Sequence, residues 1–213
     1  MREDFAFVDE VVPEIRWDAK YATWDNFTGR PVAGYQANRI VGTRALCLAL
    51  ARAQGRAARH GLGLLVWDGY RPQRAVDDFL RWSRQPEDGR TKGRHYPRLD
   101  RSEMFDRGYV AARSGHSRGS AVDLTLFDLR TGDLVPTGGR HDLMDPLSHH
   151  GADGLSPEAT ESRRCLRSIM EASGFAAYDR EWWHYMLREE PYPRTYFDFP
   201  ITPHGPPAQW PSC

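Results

Sequence analysis

The chain has 213 residues, 40% hydrophobic and 27% charged, enough for one well-packed domain of ordinary composition. Its 29 basic and 29 acidic side chains cancel, and no long Lys/Arg run stands out, so neither nucleic acid nor an anionic membrane is indicated as a partner. No stretch approaches the roughly 20 apolar residues that cross a bilayer. The N-terminus lacks the apolar core of a secretory signal, so the cytoplasm is the expected compartment. Three cysteines, Cys47, Cys165 and Cys213, have no metal-type spacing; the first two fall in expected helices and read as small buried hydrophobes.

In chain order, residues 1–30 combine short alternating apolar runs with Phe5, Phe7, Trp17, Tyr21, Trp24 and Phe27, which predicts short strands and an ordered loop ending at the Thr28–Pro31 turn. Tyr21 by itself reads as a core or rim aromatic. From Thr43 to about His60, Leu46, Leu50, Ala53 and Ala57 recur at helical steps, and Gly61 stands at the C-terminal cap. Leu62 to Trp67 reads as a buried strand and Asp68 to Pro72 as a turn. A helix follows to about Arg84 with Pro72 in its first turn, so Arg71 sits at a strand-to-helix junction.

Residues 85–100 are polar and read as a surface loop, and Ser102 to Arg107 as a short helix capped by Ser102. Ser114 to Gly119 is loop-like, and Ala121 to Phe127 alternates as a strand leading through a turn at Arg130–Asp133 to Leu134–Val135. Residues 138–154 form a long irregular segment rich in His and Asp, expected to wall the site. Ser156-Pro157-Glu158 starts a helix that ends before Gly174, and Glu181 to Leu187 reads as an aromatic-rich strand. Seven prolines between Pro191 and Cys213 exclude a regular element there. The expectation is a single α+β domain over residues 1–203, with a mainly antiparallel central sheet flanked by helices and a metal site on the sheet. Residues 204–213 are expected to be a Pro-rich, disordered tail.

Eight histidines are present, and a lone histidine is more often structural than a ligand. His60, His95 and His204 are left unassigned, and neighbouring His149 and His150 read as structural or surface residues. His116, Asp123 and His184 stand apart because their stretches also supply other catalytic residue types. Two imidazoles and a carboxylate suit a catalytic zinc with an open position, and Gly119, Ser120 and Ala121 leave room around it. Glu181, three residues before His184, can present a base beside the water of such a site. Arg71 is a fixed positive fork suited to an oxyanion. On spacing alone Glu181 is equally readable as a salt-bridge partner, and Arg71 as a phosphate or carboxylate clamp.

Ser114, His116, Gly119, Ala121 and Asp123 match the Ser-x-His-x-x-Gly-x-Ala-x-Asp pattern of zinc D-alanyl-D-alanine peptidases. With the blocks Arg16–Gly29, Trp67–Pro72, Glu181–Tyr185 and Tyr196–Pro200, the chain resembles the VanX-type D-Ala-D-Ala dipeptidases over nearly its whole length. The resemblance implies one Zn2+ per chain on His116, Asp123 and His184, Glu181 as general base and then acid, and Arg71 on the tetrahedral intermediate. It also implies Tyr21, Ser114 and Asp142 in a small dipeptide pocket, with Asp142 facing the substrate ammonium. Gly115 departs from a serine and His141 from an aromatic in the close relatives. The implied activity is hydrolysis of free cytoplasmic D-Ala-D-Ala, which deprives cell-wall synthesis of the glycopeptide target. The competing readings are a peptidoglycan D,D-carboxypeptidase, which would need export, and a non-catalytic zinc-binding module. The sequence does not fix the oligomeric state, and a homo-oligomer is among the states it allows.

Overall fold

The computed structural model describes residues 4–204. Two short antiparallel strands, β1 (Phe5–Phe7) and β3 (Val41–Thr43), form a small sheet of their own, joined to the rest through the one-turn helix α1 (Val8–Val11) and through α2 (Arg44–Ala58). The central sheet has five strands in the order β2 (Arg16–Trp17), β4 (Leu62–Asp68), β5 (Ala121–Asp128), β7 (Glu181–Leu187), β6 (Phe175–Tyr178). The expected α+β class holds, but the sheet is mixed. β2 joins β4 in parallel, because the chain between them crosses back through α2, whereas the other neighbours are antiparallel. The remaining helices are α3 (Gln73–Ser83), α4 (Lys92–His95) and α5 (Pro157–Glu171).

The two longest helices start as their sequences dictate. The Thr43 hydroxyl accepts from Leu46 N at the head of α2, and Ser156 accepts from Ala159 N at the head of α5, where Pro157 costs no hydrogen bond. Leu46, Leu50, Ala53 and Ala57 of α2 and Leu166, Ile169 and Met170 of α5 pack with Val122, Leu124 and Leu126 of β5 and with Trp182 and Tyr185 of β7. A second, aromatic cluster forms around Phe5, Tyr21, Phe27, Tyr70, Phe79 and Trp82. β5 is buried on both faces through Phe127, so its alternating sequence serves two different environments.

Some boundaries differ from expectation. Pro72 is the residue before α3 rather than part of its first turn, with extended backbone (ψ 142°). The helix expected at Ser102 is a 3-10 turn, Arg101–Glu103, that begins after Asp100, whose N–H donates to Glu103; Ser102 is exposed and caps nothing. Leu134 makes an isolated bridge to Phe127 rather than a strand, and the Asp128 carboxylate holds the turn by accepting from Arg130 and Thr131 N–H. The polar loop at 85–100 contains α4. Among the described residues, no helix is long and apolar enough to cross a membrane. The expected tail, apart from His204, lies outside the described residues.

Candidate active site

Three adjacent strands place one row of polar side chains at the sheet end. Asp68 pairs with Asp123 between β4 and β5, and Asp123 pairs with His184 between β5 and β7. A register shift in β4 between Val66 and Asp68 produces the first pairing, the kind of irregularity that re-aims a side chain beside a site. His116 arrives from a 3-10 turn, Gly115–Arg118, opened by Ser114, whose hydroxyl accepts from His116 N. The turn closes on Gly119 at φ 76°, where a Cβ would come within 2.4 Å of the Phe5 ring, so glycine is required twice over. Gly69 is constrained by space alone: a Cβ there would stand 2.5 Å from the Val41 carbonyl oxygen.

His116, Asp123 and His184 each offer one ligand atom, all within 4.8 Å of one another. His116 Nδ1–H donates to the Gly69 carbonyl at 2.7 Å, which leaves Nε2 as the ligand atom. That Nε2 lies 3.1 Å from His184 Nδ1 and 3.3 Å from Asp123 Oδ1, and His184 Nδ1 lies 2.9 Å from the same oxygen. Nitrogen and carboxylate donors converging in this way fit a tetrahedral zinc with one position left over. Burial alone would raise the Asp123 carboxyl, but the surrounding imidazoles, His116 foremost, outweigh it and hold it well below the usual carboxylate range.

Glu181 begins β7 immediately after the tight β6–β7 connection, and its carboxylate reaches to 4.0 Å from His184 Nδ1. Burial pushes its carboxyl up to about 7; Asp123 and Asp142 push the same way, and His184 and Arg71 oppose. A carboxyl at that value exchanges a proton readily near neutrality.

Arg71 is held from below by Asp68. Nε donates to Asp68 Oδ2 at 2.9 Å and NH2 lies 2.8 Å from the same oxygen, while Tyr35 donates to Oδ1 at 2.7 Å. The guanidinium lies 4.8 Å from the Tyr21 ring centre and 3.7 Å from Asp123 Oδ2. Tyr21 donates its hydroxyl to Asp142 Oδ2 at 2.8 Å. Tyr21, Arg71, Ser114, His116, Asp123, Asp142, Glu181 and His184 all line one cavity of about 290 Å³, to whose lining residues 108–111 also belong. The structure therefore gathers all eight sequence candidates in one place.

Sequence reasoning missed Asp68 as a site residue. Its signal was a carboxylate at the inner end of an apolar strand, three residues before an arginine. It also left His141 without a contact, although His141 Nε2 lies 3.4 Å from Asp123 Oδ2. His149 and His150 stay outside the cavity lining.

Residues 1–202 match the peptidase family described as D-ala-D-ala dipeptidase. A D-alanyl-D-alanine dipeptidase of Streptomyces coelicolor is 72% identical over 201 residues, covering 94% of this chain and 100% of that one. Proteins of the same name from Enterococcus faecium and Enterococcus faecalis are 61% and 58% identical, over 94% and 95% of this chain and all of theirs. The chain thus belongs to the D-Ala-D-Ala dipeptidase family of peptidases.

Proposed function

We propose that this protein hydrolyses the free dipeptide D-alanyl-D-alanine to two D-alanines, with one zinc ion held by His116, Asp123 and His184. The observation that carries the reading is the convergence of three metal-type donors, a raised carboxyl and a fixed guanidinium in a cavity of about 290 Å³. A zinc ion held there would supply a Lewis acid for the scissile carbonyl and lower the pKa of water to about 7.

The remaining chemistry belongs to this chain's own residues. Glu181 takes a proton from the attacking water as its oxygen bonds to the carbonyl carbon, then returns it to the leaving amine as the C–N bond breaks. Arg71, fixed by Asp68, donates to the oxygen that gains charge. Asp142 accepts from the substrate ammonium, and Tyr21 holds its other oxygen in place. Ser114 lines the same cavity and orders the turn that presents His116. In the cell, cytoplasmic hydrolysis of the free dipeptide would remove the termini that glycopeptide antibiotics bind.

The test compares kcat/KM for D-Ala-D-Ala, L-Ala-L-Ala and a pentapeptide ending in D-Ala-D-Ala. The D,D-dipeptide is expected to be the best of the three. Preference for the pentapeptide would make the protein a carboxypeptidase instead, and no hydrolysis of any would leave a zinc-binding module.

A further inference from the structure

We propose that His141 is a positioning residue that ties the metal centre to the amine end of the cavity, holding Asp123 and Asp142 through one ring nitrogen. The second half of this rests on the reading that Asp142 receives the substrate ammonium; the first half does not.

The ring is 7% exposed and fixed by aromatic walls. Its centroid lies 4.8 Å from that of Trp67 at 32° between planes and 5.5 Å from that of Trp183 at 75°. Held this way, Nε2 stands 3.4 Å from Asp123 Oδ2 and 3.5 Å from Asp142 Oδ1. Asp123 Oδ1 is the oxygen that faces His116 and His184, so Oδ2 is turned away from the ligand cluster, toward His141 and Arg71. An N–H on Oδ2 leaves Oδ1 alone to serve a metal, which keeps the fourth position open.

Neighbouring side chains normally diverge along an extended chain. His141 and Asp142 instead converge, because Asp142 has φ 56°, a left-handed conformation that few non-glycine residues adopt. Anchors on both sides hold it there. His95 Nδ1–H donates to the Asp142 carbonyl at 3.1 Å, and Tyr21 donates to Oδ2 at 2.8 Å, which directs Oδ1 to His141. The two carboxylates are thus spaced by a single ring atom. In a dipeptide the ammonium and the scissile carbonyl share one α-carbon, whereas each added residue moves the ammonium up to about 3.3–3.6 Å further away.

The test uses the full chain with His141→Phe, which keeps the aromatic packing and removes the nitrogen, and His141→Gln, which restores an N–H without the ring. Zinc affinity is measured by competition with a chromophoric chelator, and KM and kcat with D-Ala-D-Ala at saturating zinc. His141→Phe is expected to weaken zinc about tenfold, the scale of lost outer hydrogen bonds to metal ligands, and to raise KM more than it lowers kcat. His141→Gln is expected to be the milder of the two on both readouts, the reverse of the order that ring packing alone would give. Unchanged zinc affinity in His141→Phe, or a greater loss in His141→Gln, overturns the proposal. Weakened zinc with unchanged KM overturns its second half. Asp142→Asn separates the two readings: if it leaves KM unchanged, Asp142 does not hold the ammonium, whatever His141 does to zinc.

Discussion

Asp123 on β5 and His184 on β7 are direct cross-strand partners, and their side chains meet with Oδ1 and Nδ1 2.9 Å apart. Two of the three candidate ligands are therefore set by sheet register rather than by a loop, and Asp68 extends the same row onto β4. A one-residue slip of β7 would turn His184 to the opposite face. Rigid strands supply the positional accuracy that a metal site requires.

Metal removal is expected to lower the melting temperature, because the cluster gains a binding contribution that the unfolded chain lacks. Zinc at 100 times its dissociation constant adds about 2.7 kcal/mol to stability. Calorimetry with chelator and then with added zinc checks this. An unmoved transition would mean that the three donors hold no ion.

Arg71→Ala is expected to cost about 3–4 kcal/mol of transition-state stabilisation, the loss typical of one oxyanion donor. It also strips the fully buried Asp68 of its cation. Arg71→Lys is expected to restore little, because an ammonium cannot reproduce the fork that engages Asp68. An unchanged kcat in folded Arg71→Ala would assign Arg71 to structure alone.

His150 gives a pH prediction away from the metal site. Burial holds its ring down at about 4, with Arg167 and Arg163 adding to the effect and Asp179 and Glu171 opposing. Its Nε2 is buried with no hydrogen-bond partner among the described residues. The unfolded imidazole has a pKa near 6.5, so the folded state binds fewer protons between about 6.5 and 4. The stabilising contribution is full above the upper value and is lost as pH falls toward the lower one. Denaturant titrations should show His150→Leu losing less stability than wild type across that interval. Parallel curves would remove His150 as the source.

Gly115 and Met186 are matched in size. A Cβ at Gly115 would stand 2.9 Å from Met186 Sδ, and both residues line the cavity. Gly115→Ser is expected to fold, because a flexible thioether can move, and to change KM for D-Ala-D-Ala more than kcat. The companion Met186→Val should relieve the crowding and return KM toward wild type. Equal KM in all three proteins would show that this wall does not touch the substrate.

His116, Asp123 and His184 stood out in the sequence because each lies in a short stretch of chemistry-bearing residues, whereas the roles of Glu181 and Arg71 stayed open on spacing and came only from the family resemblance. The long helices were legible from apolar periodicity and from Thr43 and Ser156 at their heads. Asp68 was not, because a carboxylate beside a turn gains meaning only when the β4 shift aligns it with Asp123 and Arg71 folds back onto it. His141 was legible only as a departure from an aromatic; its contacts were not, because its convergence with Asp142 depends on a left-handed backbone at a non-glycine residue, which no local sequence signal announces. β2 is two residues long and its parallel pairing depends on α2 packing across the sheet. The mixed topology therefore rests on tertiary contacts rather than on strand pattern.

On the proposed reading Glu181 moves the proton while His116, Asp123 and His184 hold the metal. Glu181→Ala separates these roles most directly, through zinc content and D-alanine release measured on the same preparation. The expected result is a zinc-loaded, folded protein that no longer hydrolyses D-Ala-D-Ala. Near-normal turnover by that variant would show that another group moves the proton.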